Sequence, residues 1–253
     1  MRLATFNILH GRAPEDDRVD VDRFAAAVAS LDADVLALQE VDRGQERSAR
    51  ADLTAVAAEA LGAPHHRFVA ALAGTPGATW MAATGEEQPD AAAFGIALLS
   101  RVPVRSWEVV RLPALPVPVP VVFPGRRRPV VVTDEPRVAV VAELDGGAGA
   151  PLTVASTHLS FVPGWGAFQL RRLSRALRRH SAPVVLMGDL NMEPAAVRRA
   201  SRMRPLVSAP TFPAGEPVRQ LDHVLAGGAL RVGAAGSRRL PLSDHLALTV
   251  DLS

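Results

Sequence analysis

The stretch Val184-Val185-Leu186-Met187-Gly188-Asp189-Leu190-Asn191 is an apolar run that stops at a glycine and is followed by an acid and an amide. Such a run predicts a buried strand. Side chains two apart in extended backbone point the same way, so the carboxylate of Asp189 and the amide of Asn191 are expected to leave the strand end together. The pair could hold a hard cation and an oxyanion, or it could only cap backbone groups in a turn. The stretch alone leaves both interpretations open.

Outward from this strand, the chain alternates between strand and helix patterns. Strand patterns cover residues 2–9, 34–40, 96–99, 107–112, 137–144, 152–156, 221–225 and 240–252, and helix patterns cover 21–31, 52–62, 164–180 and 194–203. The second helix is expected to run from an N-cap at Asp52 to a C-cap at Gly62. Residues 73–92 predict a long loop, and residues 113–120, with four prolines, predict an edge or a loop. The alternation predicts an α/β fold with a mixed sheet, and no linker or repeat divides residues 1–253 into separate domains.

The composition fits one domain with a sizeable core, since 48% of the 253 residues are hydrophobic. The chain has no cysteine, so no disulfide can form. The N-terminus becomes polar too early for a signal peptide, and no apolar run approaches the roughly 20 residues of a membrane span. We therefore expect a soluble monomer located in the cytoplasm.

The charge does not by itself indicate nucleic-acid binding. The sequence pI is about 10.6, but the net charge is only +2, and all 28 basic residues are arginines. Without lysine, tyrosine or cysteine to titrate in between, a small positive excess raises the calculated pI steeply. Arg126-Arg127-Arg128 is interpreted as a solvent-exposed turn, with a phosphate-contacting loop as the alternative. The arginine face of the helix at 164–180 is interpreted as a solvated surface.

Polar residues stand at strand ends throughout the chain. They are Asn7, Glu40, His158, Asp189 with Asn191, Asp222, and Asp244 with His245. Ligands of open α/β sheets bind at such ends. We therefore expect residues 7, 40, 158, 189, 191, 222 and 245 to meet in one cleft.

Five short motifs in this order resemble those of the endonuclease/exonuclease/phosphatase superfamily, and the resemblance extends from Thr5 to Leu248. They are Thr5-Phe6-Asn7, Leu38-Gln39-Glu40, Ser156-Thr157-His158-Leu159, Gly188-Asp189-Leu190-Asn191 and Ser243-Asp244-His245. The superfamily includes pancreatic-type deoxyribonuclease, abasic-site endonucleases, neutral sphingomyelinases and inositol polyphosphate 5-phosphatases. The resemblance implies a four-layer sandwich, in which two packed mixed β-sheets are flanked by helices. It also implies divalent-cation-dependent hydrolysis of phosphate esters.

The resemblance implies a metal site at Asn7, Glu40 and Asp244. Glu40 would be the principal ligand of Mg²⁺, for which Mn²⁺ could substitute, because Mg²⁺ prefers one or two carboxylates and keeps several waters. Asn7 would contact the metal shell or the phosphate. Asp244 would ligate the metal or support it from behind.

The resemblance also implies five catalytic residues, His158, Asp189, Asn191, Asp222 and His245. Asp189 and Asn191 would orient the attacking water and stabilise the pentacovalent phosphorus. His245, polarised by Asp222, would act as the base or as a donor to the phosphoryl oxygens, and His158 would donate to the phosphate or the leaving oxygen. The choice of base between Asp189 and His245 stays open.

Other candidate residues receive structural interpretations. His223 should point to the opposite face of the Asp222 strand, His65-His66 should lie on the surface at a strand entrance, and His10 should sit in a loop. Arg47 follows the Glu40 strand and is a weaker candidate for a phosphate contact.

The sequence therefore predicts a Mg²⁺-dependent phosphoesterase that favours a phosphodiester over a monoester. A DNA endonuclease or exonuclease is the alternative, although aromatic residues make up only 4% of the chain. The absence of tyrosine departs from the abasic-site endonucleases, which carry one in the site, and brings the pattern closer to the deoxyribonucleases and sphingomyelinases. A binding module that has lost catalysis is a third reading, disfavoured because the acidic and histidine positions are intact.

Overall fold

The computed structural model describes residues 1–122, 128–145, 151–181 and 183–253. Its strands are β1 (Arg2–Asn7), β2 (Arg12–Ala13), β3 (Arg18–Val19), β4 (Val35–Arg43), β5 (His65–Gly74), β6 (Trp80–Ala82), β7 (Ala93–Ser100), β8 (Val104–Leu112), β9 (Val119–Val121), β10 (Val130–Val132), β11 (Arg137–Leu144), β12 (Leu152–His158), β13 (Val184–Asp189), β14 (Arg204–Pro205), β15 (Asp222–Gly227), β16 (Val232–Arg238) and β17 (Ala247–Leu252). Its helices are α1 (Val21–Leu31), α2 (Leu53–Leu61), α3 (Trp165–Leu177) and α4 (Pro194–Ser201), with short 3₁₀ turns at Leu9–Gly11 and Glu46–Ser48.

Two large mixed sheets form the centre of the molecule. The first has seven strands in the order β16-β17-β1-β4-β7-β5-β6, and the second has six in the order β14-β15-β13-β12-β11-β8. Each contains one parallel pair, β1 with β4 and β12 with β13. Asn7, His158 and Asp189 stand at the carboxyl ends of strands in these pairs, whereas Glu40 lies three residues before the end of β4.

Three hydrophobic clusters show how the layers stack. One cluster fills the space between the sheets, with Leu3 and Val35 on one side and Val140 and Met187 on the other. A second packs α1 and α2 against the outer face of the seven-stranded sheet. A third packs α3 and α4 against the outer face of the six-stranded sheet. The predicted four-layer α/β sandwich is therefore confirmed.

Local sequence signals account for the helices. Asp20 caps α1 by accepting the backbone N–H of Arg23, and the apolar positions of α1 face the core. Asp52 caps α2 by accepting two backbone N–H groups, and Gly62 ends it in the left-handed conformation, as predicted. Pro194 occupies the first turn of α4, where its missing N–H costs no hydrogen bond.

The structure differs from the sequence prediction in several segments, of which four bear on the sheets and the site. Residues 73–92 contain the end of β5 and the short strand β6, which pair with each other. β16 was not predicted, because Val232–Arg238 is mostly alanine, glycine and polar residues without clear alternation. The last strand begins at Ala247, and residues 240–246 form the loop that precedes it. β4 continues beyond Glu40 to Arg43 through an irregularity in its pairing with β7.

Two further segments complete the description. The proline-rich region lies outside both large sheets, and only β9 within it pairs, with β10. Arg126 and Arg127 of the predicted arginine turn lie outside the described residues, whereas Arg128 is exposed. Within the described ranges, no helix has both the length and the apolar character that crossing a membrane requires.

Candidate active site

The ends of β1, β4, β12 and β13 meet the start of β15 and the 240–246 loop at one end of the sandwich. The amide nitrogen of Asn7 links the two sheets, because it donates to Oε1 of Glu40 at 3.0 Å and to Oδ2 of Asp189 at 3.0 Å. A cavity of about 860 Å³ opens here, and Glu40, His158, Asp189, Asn191 and His245 all line it. Asn7 and Asp222 are hydrogen-bonded directly behind these groups. The structure thus brings together the seven residues that the sequence analysis expected in one cleft.

Glu40 reaches the cavity because β4 bulges at this position. Its neighbours Gln39 and Val41 pair with consecutive residues of β7, so Glu40 has no partner in the ladder, and its φ is +55°. A bulge re-aims a side chain, and a strained non-glycine backbone often marks a functional position. Burial raises the pKa of Glu40, with the charge of Asp244 adding to the rise and the hydrogen bond from Asn7 opposing it. The site therefore holds an acid whose charge is poorly compensated by the protein.

The turn after β13 positions two candidate site residues, Asp189 and Asn191, and one of them also caps a backbone N–H group of the turn. Gly188 has a φ of +144°, and a Cβ there would lie 1.9 Å from the carbonyl oxygen of Thr157, so only glycine allows β12 and β13 to approach this closely. Asn191 has a φ of +51° and donates its backbone N–H to Oδ1 of Asp189 at 2.9 Å. The two side chains meet because the chain turns, and not because it stays extended as the spacing argument assumed.

His245 forms a buried pair with Asp222. Nδ1 of His245 lies 2.8 Å from Oδ2 of Asp222, and its Nε2 lies 3.8 Å from Oδ2 of Asp189. Ser243 sets this position, since its hydroxyl donates to the carbonyl of Asn7 at 2.6 Å and accepts the backbone N–H of His245 at 3.0 Å. The sequence Ser-Asp-His is therefore a local device that fixes the imidazole to the end of β1.

The charges of this pair are set by burial and by neighbours. Burial disfavours the imidazolium, but Asp222, Asp189 and Asp244 outweigh it and raise the pKa of His245 to about 10. Burial raises the pKa of Asp189 to about 7, against the opposing effect of His245. His245 is consequently a cation at neutral pH, and Asp189 is a carboxyl group poised close to neutrality.

His158 carries the opposite charge state in the same cleft. Its Nε2 lies 3.6 Å from Oδ2 of Asp189 and 3.1 Å from the amide nitrogen of Asn191, which also donates to the carbonyl of Leu159 at 3.0 Å. Burial lowers the pKa of His158 well below its usual range, and the charges of Arg137 and His245 lower it further. His158 is therefore a neutral hydrogen-bonding group.

Arg137 is a site residue that the sequence analysis missed. It is the first residue of β11, is only 6% exposed, and lines the cavity. Its guanidinium lies 3.4 Å from Oε2 of Glu135, and among the described residues its Nε has no hydrogen-bond partner. The available signal was a charged residue at the start of a strand whose next five residues are apolar, a position where an inward-facing arginine needs an anionic partner.

Other candidates occupy a range of positions. Arg47 lines the cavity but already donates two hydrogen bonds to the buried Asp42, at 2.8 and 2.7 Å. His10 also lines the cavity, and burial, reinforced by Arg47, lowers its pKa to about 4. His223 contacts the carbonyl of Met192 at 2.8 Å, in keeping with a structural role. Asp244 is half-buried beside His245 and acts on the site through its charge.

Two sets of side chains could hold a cation. Asp189, Asp222 and His245 offer ligand atoms within 4.8 Å of one another. Binding there would break the 2.8 Å contact between Asp222 and His245 and would require neutral imidazole, which the raised pKa of His245 opposes. Glu40 offers a hard oxygen ligand in the same cavity, and burial raises its pKa although the hydrogen bond from Asn7 and the charges of His245 and Arg137 oppose the rise. The chemistry of Glu40 therefore fits a divalent cation better than the Asp-Asp-His group does.

Comparisons with known proteins agree with this picture. No curated protein matches the chain significantly. Among solved structures, an endonuclease/exonuclease/phosphatase from Beutenbergia cavernae is 23% identical with a TM-score of 0.68, covering 100% of this chain and 71% of that one. A mannosyl-6-phosphatase from Bacteroides thetaiotaomicron is 14% identical with a TM-score of 0.65, covering 100% and 99%. The human Nocturnin catalytic domain with bound sulfate anion is 20% identical with a TM-score of 0.64, covering 100% and 93%.

These structural likenesses show the fold. The family itself is shown by the sequence, which matches the endonuclease/exonuclease/phosphatase family over residues 4–245. That match begins before Asn7 and ends at His245, so it includes every candidate site residue described above. The chain belongs to the endonuclease/exonuclease/phosphatase family.

Proposed function

We propose that this protein is a Mg²⁺-dependent hydrolase of phosphate esters that prefers a phosphodiester, with residues 1–253 acting as one catalytic domain. The family comprises hydrolases of phosphate esters, including metal-dependent phosphoesterases and nucleases. One observation carries the finer proposal. A continuous set of contacts runs from Glu40 through Asn7 to Asp189, and on through His245 to Asp222, and three of these residues, Glu40, Asp189 and His245, line a single cavity.

Glu40 is the proposed main ligand of the cation, with Asn7 and Asp244 beside it. Asn7 uses its amide oxygen to accept the backbone N–H of Leu9 at 3.1 Å and its amide nitrogen to hold the two carboxylates. Its contribution in this arrangement is to fix Glu40 and Asp189 relative to each other, and its direct contact with a metal stays a prediction. When bound, Mg²⁺ or Mn²⁺ would neutralise charge that develops on the phosphoryl group.

Asp189 is the proposed base for the attacking water. A base is most effective when its pKa lies near the working pH, and the pKa of Asp189 is raised to about 7. His245 is already protonated at that pH, so it serves better as a donor to a phosphoryl oxygen than as a base. The two groups lie 3.8 Å apart and would titrate together. This division of roles supports one of the two assignments that the sequence left open.

His158, Asn191 and Arg137 are proposed to bind the phosphate. A neutral imidazole accepts at one ring nitrogen and donates from the other, and the amide nitrogen of Asn191, 3.1 Å from Nε2 of His158, holds the ring beside Asp189. Arg137 brings a buried guanidinium with an unpartnered Nε into the cavity, which suits a phosphate oxygen. Together these groups would orient the ester while Asp189 receives the proton of the water.

The walls of the cavity favour a diester over a monoester. The lining of the cavity also includes apolar side chains, those of Trp80, Phe94, Val121, Phe161 and Phe212. The volume of about 860 Å³ is far larger than a phosphate group requires. A second, partly apolar substituent on the phosphorus would use this surface, whereas a monoester would leave much of it in contact with water.

Hydrolysis of bis(p-nitrophenyl) phosphate and p-nitrophenyl phosphate tests the proposal. Purified protein should be inactive in EDTA, gain activity with Mg²⁺ or Mn²⁺, and hydrolyse the diester faster. Glu40→Gln should lower kcat/KM at least about 100-fold, since it removes the main ligand. The matched control Glu59→Gln, on the exposed face of α2, should behave like wild type. Metal-independent turnover, or equal activity of the Glu40 and Glu59 variants, would contradict the proposal.

A DNA nuclease is the second candidate function. Arg219, which lines the cavity beside Phe212 and is 41% exposed at its side chain, pairs with Glu193 at the surface and could reach a flanking phosphate. Nicking of supercoiled plasmid with Mg²⁺ tests this directly. Nicking that exceeds diester hydrolysis in kcat/KM and is lost in Glu40→Gln would make DNA the substrate.

A further inference from the structure

A second cavity lies far from the candidate active site, between the outer helices α3 and α4. Its volume is about 720 Å³, and its lining includes five arginines, Arg171, Arg175, Arg178, Arg199 and Arg202. We call these residues and Ser174 the arginine groove. Val184 at the start of β13 also lines it, whereas Asp189 of the active site ends the same strand. Five residues of extended chain separate Val184 from Asp189 by roughly 16 Å.

The arginines of the groove lack compensating charge. In the parts of the chain that the structure describes, none of the five makes an ion pair or a side-chain hydrogen bond. Residues 165–206 contain nine arginines against two acids, whereas the remainder of the chain contains nineteen arginines against twenty-four acids. Of the two acids, Asp189 belongs to the active site and Glu193 pairs with Arg219. Crowding of like charges around one concavity costs free energy that a bound anion would recover.

A buried hydroxyl provides a second, independent observation. Ser174 is 3% exposed, lines the groove, and its Oγ has no hydrogen-bond partner in the described structure. A buried hydroxyl without a partner is uncommon in folded proteins. The hydroxyl and the guanidinium groups can all donate hydrogen bonds, so the groove presents several donors to a ligand that carries acceptors.

The shape and lining indicate the class of ligand. The volume of the groove falls within the range of small-molecule sites. Its only ring in the described lining is that of His180, which Glu108 and Glu143 hold at 3.4 and 3.1 Å. The groove therefore lacks the stacking surface that binding of single-stranded nucleic acid uses. We propose that the arginine groove binds a compact anion with several phosphate groups, at a site separate from the catalytic cleft.

The simpler explanation is that these arginines only solvate the surface and complement the helix dipoles. Arg175, Arg198 and Arg199 do lie in the last turns of their helices, where cations are favourable. Arg172 and Arg198 stand on the same two helices, are also exposed, and do not line the groove. The two explanations therefore differ in whether the position of a charge matters or only its number.

Calorimetric titration with inorganic tripolyphosphate, in EDTA, tests the proposal. Wild type should bind one tripolyphosphate. The pair Arg175→Gln with Arg199→Gln should weaken binding at least tenfold, and Ser174→Ala about tenfold, because each loses hydrogen bonds to a charged group. The control pair Arg172→Gln with Arg198→Gln removes the same charge and should weaken binding less than threefold. Thermal unfolding should confirm that all variants remain folded.

Three results would overturn the proposal. Absence of tripolyphosphate binding to the wild type would remove the site. Equal weakening by the groove pair and the control pair would show a general charge effect, and stronger binding of a single-stranded oligonucleotide with the same equal weakening would identify a nucleic-acid surface instead. Loss of binding in Arg137→Gln but not in the groove pair would place the tripolyphosphate in the catalytic cleft. None of these results depends on catalytic activity.

Discussion

Replacing Asp222 by asparagine removes the charge beneath His245 while keeping the shape of the side chain. Asp222 is fully buried, and its Oδ2 lies 2.8 Å from Nδ1 of His245. The pKa of His245 is raised from 6.5 to about 10 despite the opposing effect of burial, and Asp222 contributes most to the rise. At about 1.4 kcal/mol per pKa unit, that rise corresponds to roughly 5 kcal/mol between the two protonation states. We expect Asp222→Asn to lower the pKa of His245 by about 2 units or more in the metal-free protein.

The assay is an NMR titration of the histidine ring protons in EDTA, combined with urea unfolding at several pH values. The folded pKa of His245, about 10, exceeds the unfolded value of 6.5. Its stabilisation is therefore fully present below about pH 6.5 and is lost as the pH rises toward 10. Wild type should lose stability over this window, and Asp222→Asn should lose much less. The exposed control Asp90→Asn should follow wild type. An unchanged titration of His245 in Asp222→Asn would refute the assignment of the charge to this pair.

Two further substitutions test the backbone of the site and its phosphate contacts. Gly188→Ala should cost more than about 3 kcal/mol in urea unfolding, because the new Cβ would overlap the carbonyl oxygen of Thr157. Gly62→Ala, where a Cβ would meet nothing within 4 Å, should cost about 1 kcal/mol, and equal costs would contradict the argument. Arg137→Gln should lower kcat/KM for bis(p-nitrophenyl) phosphate by about ten- to 100-fold through loss of a charge-assisted contact. Unchanged kcat/KM would remove Arg137 from the phosphate site.

Elements with strong local signals could be predicted from the sequence. α1 spans Val21–Leu31, as predicted, and α2 lies between the predicted caps. Helix caps and amphipathic spacing depend on residues only a few positions apart, so both can be recognised in the sequence. β16 gives no such signal, because it is held mainly by pairing with β17, a partner that only the folded sheet supplies. The bulge at Glu40 also arises from long-range pairing, in this case with β7, and no local sequence pattern predicts it.

The candidate site was predictable in membership but not in arrangement. Polar residues at strand ends, taken in order, named seven groups that the structure brings together. The charge states of these groups depend on burial and on which neighbour is closest. Residue spacing in the sequence gives information on neither. Arg137 was missed because it directly precedes an apolar run. An arginine at that position is typical of the polar residue that flanks a strand. In the structure that flank faces the cavity, since the start of β11 lies beside the end of β12, its antiparallel partner.

The charge states of His158 and His245 are set by their other neighbours and not by their distance from Asp189. Oδ2 of Asp189 lies 3.6 Å from Nε2 of His158 and 3.8 Å from Nε2 of His245, so Asp189 hardly distinguishes them by distance. Asp222 on the far side of His245 raises its pKa, whereas Arg137 near His158 lowers the pKa of that ring. One imidazole is therefore a cation and the other is neutral on either side of the same carboxylate. In the proposed mechanism, that asymmetry would let Asp189 accept a proton from water while His245 donates one to the phosphate.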